Sequence, residues 1–173
     1  GAIRSPVTHP LSVNLGLEVA ITNNSGAQIV EYFPLQCARN GGTMTTLTNT
    51  LGTLGARIGL SPFVNMGDTV VYPTSWPTGG QTVVDGRVVA DVIDTSQKTT
   101  IPHGGVTAWR YVMGFGSPAV ATDVFTCRVV RENGSAMTHY GDDTAGWLPA
   151  MTLSAPSLST GVMAGGVHAG GNK

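Results

Sequence analysis

The chain has 173 residues and one even composition: 11% charged, 41% hydrophobic, 24 glycines and a formal net charge of −1. The low charge excludes an ordinary solvated surface, which carries about 25% charged residues. The near-zero net charge and nine scattered cations exclude a chain drawn as a whole onto nucleic acid. Threonine alone outnumbers lysine and arginine together. Low charge with abundant Thr, Val and Gly predicts a β-protein whose outer surface is partly turned away from water.

The first residues, "GAIRSPVTHP", carry neither an initiator methionine nor an apolar leader, so they read as the cut end of a precursor or a cloning remnant. With two prolines, residues 1–15 read as an extended amino-terminal arm. In "LEVAITNNSGAQIVEYFPL", Leu17, Val19 and Ile21 alternate with Glu18, Ala20 and Thr22, and "NNSG" supplies turn residues before a second apolar run. This predicts a hairpin closed by Pro34. The span "NGGTMTTLTNTLGTLGARIGL" is too rich in Thr and Gly for a helix and reads as loop with one short strand or helical turn.

"DTVVYP" predicts a short strand leading into a Pro/Gly loop. "QTVVDGRVVADVID" holds two Val-rich pieces around Asp85-Gly86, a strong turn pair. "KTTIPH" and "TAWRYVMGF" are the next strands, parted by Gly104-Gly105. Pro102 cannot donate to a sheet ladder, so it marks a strand end, and the two glycines let the chain bend; Pro102, Gly104 and Gly105 are the expected structural turn. "TDVFTCRVV" alternates and is turned by "ENGS". Residues 154–173, small and Gly-rich, read as a carboxy-terminal arm that alone would be disordered. The whole is one domain, 1–173, an all-β antiparallel sandwich of jelly-roll type. No apolar run approaches the roughly 18 residues of a membrane span.

Chemical motifs are weak. Tyr140-Gly141-Asp142-Asp143 has the letters of a polymerase metal hairpin, but its flanks "SAMTH" and "TAGW" are not the hydrophobic strands that geometry needs, so it reads as a solvated turn. "GFGSPA" at 114–119 fits a loose dinucleotide pattern, yet Pro118 and the strand after it leave no helix to meet a pyrophosphate. Asp94-Thr95-Ser96 reads as a turn at a strand end. His9, His103, His139 and His168 share no metal spacing and are expected exposed or bonded to backbone. Two sequons, Asn23-Asn24-Ser25 and Asn133-Gly134-Ser135, read as turns. Cys37 and Cys127 read as two buried free thiols, with a disulfide as the alternative. No catalytic, cofactor-binding or metal-binding residues are expected. Trp109 is expected in the core. Trp76 and Trp147 sit in loop-like contexts and, with Pro149 and Met163, are the expected interface residues.

From about Val83 to Val112 the chain resembles picorna-like virus capsid proteins. The resemblance is carried by an acidic residue, Asp91 or Asp94, then a polar span, Ile101-Pro102-His103, and an aromatic strand at Trp109–Tyr111. It implies an eight-stranded jelly roll and a structural coat subunit of an icosahedral shell. Size and processing suggest a small coat protein of a plant virus, as in the secovirids and their cheraviruses. The implied partners are other capsid subunits, like and unlike, in a shell of two or three different subunit types, met through interfaces larger than the roughly 1,600 Å² of a standard one. Genomic RNA would be touched at most indirectly, through scattered residues such as Arg4 and Arg39, and no membrane is involved. The implied location is the virion, with assembly in the host cytoplasm. The alternative is a carbohydrate-binding or receptor-binding β-sandwich such as a viral protruding domain. An enzyme ranks third.

Overall fold

A computed structural model of the chain describes residues 7–76, 78–137 and 150–155. Every regular element among them is a strand. In order these are β1 (Val7–Pro10), β2 (Leu15–Asn23), β3 (Ile29–Glu31), β4 (Leu35–Arg39), β5 (Thr45–Thr46), β6 (Ala56–Ile58) and β7 (Thr69–Val70). There follow β8 (Thr82–Val83), β9 (Gly86–Val89), β10 (Thr99–Ile101), β11 (Gly105–Phe115), β12 (Val124–Val129) and β13 (Ala150–Ser154). One sheet runs β1-β13-β12-β4-β5; the other runs β2-β11-β9-β7, with β6 and β8 also pairing β11; β10 and β3 form a separate ladder.

The sheets are mixed rather than purely antiparallel: β1 lies parallel to β13, and β8 and β9 lie parallel to β11. The expected amino-terminal arm therefore enters the sheet at Val7–Pro10, and Ser154, the first residue of the expected carboxy-terminal arm, still belongs to β13. The span from Asn40 to Leu60 carries two short strands, β5 and β6.

The two sheets meet over one core. Leu35, Cys37, Phe125, Cys127, Met151 and Leu153 from the first face Ile21, Ile58, Trp109, Tyr111 and Met113 from the second, all buried. This follows from strand alternation: Thr107, Trp109, Tyr111 and Met113 share one face of β11. Trp109 is fully buried, with its ring edge-on to Tyr32 and Phe33 at centroid distances of 5.6 and 5.3 Å. The Tyr111 hydroxyl donates to the Phe33 carbonyl at 2.7 Å, and burial raises its pKa well above the ordinary value. The opposite face of β11 is also covered. Val106, Ala108 and Val112 pack with Val70, Tyr72, Val88 and Ala90, and Val64 and Trp76 lie over them. Burial on both faces explains why β11 reads as a continuous apolar run.

Three expectations are corrected. First, β2 and β3 do not form a hairpin. β2 pairs β11 over its whole length and β3 pairs β10, so the "NNSG" turn carries the chain from one ladder to another. The corner is held by Asn23, whose amide donates to the carbonyls of Ala27, Ile101 and Pro102 at 2.7, 2.9 and 3.1 Å. Across it, Gly104 N–H donates to the Asn23 carbonyl at 2.8 Å and Gly26 N–H to His103 Nδ1 at 3.2 Å. Local turn chemistry made the turn; the sheet chose the partner.

Second, Asp85-Gly86 is no hairpin turn. Thr82 and Val83 face Gly105 and Val106, and Val88 and Val89 face Arg110 and Tyr111. Both pieces lie along β11, with one extra residue between them, which is a bulge. Gly86 is required there because a Cβ would overlap the Ala108 carbonyl oxygen. Third, Cys37 and Cys127 are not free thiols. They stand opposite each other on β4 and β12 and form a disulfide with Cα atoms 4.1 Å apart. Antiparallel register placed two buried side chains face to face, a relation invisible in a separation of 90 residues.

The turn readings hold elsewhere. Asn23, Asp94 and Asn133 each accept from the backbone N–H two residues on, at 3.0, 2.9 and 3.0 Å. β10 ends at Ile101 and β11 begins at Gly105, with Gly104 between them at φ +70°. The "HYGDDTAG" motif lies outside the described residues.

The ends of β4, β12 and β13 are tied by buried Asp123. Its carboxylate accepts from Val120 N–H at 2.8 Å and from the Asn40 amide at 2.6 Å, with Arg39 3.9 Å away. The Val120 N–H, then Asn40 and Arg39, hold its pKa below the ordinary 3.8 against the opposing cost of burial. A carboxyl group with a lowered folded-state pKa stabilises the fold above its unfolded pKa, and that stability is lost as pH falls through the folded value. Acid titration is therefore expected to weaken the fold from about pH 4 downward. Asp123→Asn should lower stability at pH 7 and flatten that acid limb in urea midpoints measured from pH 7 to 2; an unchanged limb would contradict this.

Candidate functional site

Among the described residues the chemistry-bearing side chains stand apart: no group of three His, Cys, Asp or Glu comes together. The His9 ring bonds to the Val13 carbonyl at 2.8 Å and His103 accepts from Gly26, so both meet backbone as expected; His139 and His168 lie outside the described residues. The 114–119 stretch leaves β11 through a turn into the approach to β12, with no helix start.

What the fold does build is an apolar groove of about 800 Å³. One wall is the Val13-Asn14 bend and the first half of β2. The other is the Leu60–Val64 loop with Trp76. Outward-facing Arg110 and Val112 form part of the floor, and Ala150 and Met151 of β13 also line the groove. Among the described residues the only charges on these walls, Glu18 and Arg110, are paired with each other across β2 and β11. The groove therefore offers little net charge and much apolar surface.

The loop wall is held by polar pins. Ser61 N–H donates to Asp91 Oδ1 at 2.9 Å, and Ser61 Oγ accepts from Phe63 and Val64 N–H at 3.2 and 3.3 Å. The Asn14 amide donates to the Leu60 carbonyl across the gap. The backbone is thus fixed by hydrogen bonds while its apolar side chains face water: Phe63 is 90% exposed and Leu60 62%. Val13 on the opposite wall is also exposed, as are Val71 and Val92 elsewhere. A large ring held in solvent by a pinned loop gains nothing for the monomer's own stability; exposed apolar patches in general occur at protein, membrane or ligand contacts.

No protein family, curated protein or solved structure matches the chain. The surface must be read from its own geometry.

Of the expected interface residues, Trp76 lines this groove. It is half-buried, its ring edge-on to Tyr72 at 5.7 Å and packed over the outer cluster of β11. Trp147, Pro149 and Met163 lie outside the described residues. Sequence reasoning missed Phe63 and Leu60. The signal was present: "LSPF" sets an aromatic beside a proline in a polar loop, the same context that singled out Trp76.

Proposed function

We propose that the chain is a structural, non-enzymatic subunit of a closed protein shell, a viral coat protein of jelly-roll type. The observation that carries the proposal is the apolar groove with Phe63 and Leu60 at its rim, on a chain only 11% charged. Such a surface is stable in water when sibling subunits cover it. The nested pairing, β2 with β11 and then β3 with β10 around one corner, supports the jelly roll, since that topology arises from one long antiparallel ladder folded over itself. The buried Cys37–Cys127 bond suits a particle that must survive outside the reducing cytosol. The other coat subunits are its partners, and the virion is its place.

The sugar-binding alternative has less support. Trp76 packs its ring against Tyr72 and the outer cluster, and the polar side chains that share the groove with the exposed Phe63 ring, Asn14, Glu18 and Arg110, are already engaged with the Leu60 carbonyl and with each other. Phe63→Glu tests the proposal. The side chain is nearly all in solvent, so the monomer should keep its thermal midpoint within about 0.5 kcal/mol of stability. Association, read by sedimentation velocity, should weaken about thirtyfold, as for loss of an interface hot spot. Unchanged association would remove the groove from the assembly surface.

A further inference from the structure

The long edge of the second sheet points to a specific contact. β2 is nine residues long, pairs β11 on one side without a bulge, and meets no other strand among the described residues. Proteins guard such edges with lysine, proline, bulges or brevity. The other described edges follow this rule. β5 and β7 have two residues each, β3 and β10 three, and β1 four ending in Pro10. β2, "LGLEVAITN", has no proline and no lysine, and its one charge, Glu18, is neutralised within its own sheet by Arg110. Its inward-facing Leu15, Leu17 and Val19 pack on the main core yet remain only partly buried, and among the described residues no strand flanks them on the free side. Its outward Gly16, Ala20 and Thr22 are small and exposed.

We infer that this edge pairs with β2 of a second copy, antiparallel across a two-fold axis through Val19. The partner edge must be as long and as unguarded, and the described chain has one such edge, so a like edge on a second copy satisfies it. A two-fold contact is self-complementary by symmetry. With the axis normal to the sheet, outward residues face outward residues. Centring on Glu18 would set the two glutamates directly opposite, which is unfavourable. Centring on Val19 uses the whole strand, Leu15 facing Asn23, and sets each Glu18 against the small Ala20 of the other copy. The β2-β11-β9-β7 sheet then continues into its partner's, and the half-buried Leu15, Leu17 and Val19 gain cover. The inference deepens the assembly reading and rests on it only in taking a second copy as the partner.

The register makes a charge test. Ala20→Glu adds two symmetric like-charge pairs with Glu18 and should weaken association about tenfold. Ala20→Lys adds two opposite-charge pairs and should leave association equal or tighter. Both changes sit on an exposed side chain, and thermal melts of the dilute chain check that each variant folds. Sedimentation velocity of the full chain reads association, and hydrogen exchange reads the alternate amides of 15–23 that point away from β11, which should slow as concentration rises. A discrete dimer with those amides protected would support the edge contact and overturn the shell. Assembled particles whose free-edge amides in 15–23 exchange freely, or equal effects of Glu and Lys at position 20, would overturn the edge contact and leave the shell standing. Full protection in the dilute monomer would show the edge covered by its own chain and would also overturn it. An absence of any self-association would overturn both.

Discussion

Trp109→Ala is expected to lower stability by about 3–5 kcal/mol, the usual cost of deleting a fully buried aromatic. The ring has no exposed surface and packs against Tyr32, Phe33 and Tyr111, so its removal opens a cavity where the two sheets meet. Trp109→Phe should cost much less, about 1–2 kcal/mol. Phenylalanine keeps most of the ring contacts, and the indole Nε1 has no hydrogen-bond partner among the described residues, so no bond is lost with it. Urea unfolding of the two variants checks both. Equal losses would mean that the nitrogen, not the packing, matters. A loss under about 1 kcal/mol for the alanine variant would mean that the site collapses or is not core.

Removing the disulfide is the second large effect. Cys37 and Cys127 bridge β4 and β12 in the middle of the first sheet and close a loop spanning 90 positions. Loop closure of that length sets an entropic ceiling of about 4–5 kcal/mol, and losses of about 2–4 are typical. The double variant Cys37→Ala, Cys127→Ala should fall in that range when its urea midpoint is compared with the oxidised chain. Alanine is chosen because serine would bury two hydroxyl groups in an apolar core. Prior reduction of the native chain should shift the midpoint the same way, and an unchanged midpoint in both would contradict the bridge.

Much of the strand map was legible. The alternation at Val124–Val129, the stop at Ile101-Pro102 and the Asx turns at Asn23, Asp94 and Asn133 all follow from local chemistry that the fold keeps. Trp109 reads as core, and is. What local chemistry cannot carry is partner choice. "NNSG" turns the chain wherever β3 goes next, and Asp85-Gly86 fits a bulge beside Ala108 as well as a hairpin. The cysteine pair depends on the register of β4 with β12, which is set by the whole sheet. The candidate surface was half legible. Trp76 stood out by ring size in a loop, while Phe63 was hidden in a short turn whose pins, Ser61 to Asp91 and Asn14 to Leu60, join residues 30 and 46 positions apart.

The central claim is that the exposed apolar groove is covered by other copies. Light scattering and negative-stain microscopy of the full chain over a rising concentration series test it most directly. The account predicts self-association into closed shells, with Phe63 and Leu60 losing solvent access as they form. A chain that remains a single folded monomer at high concentration, with Phe63 still open to solvent, would contradict it.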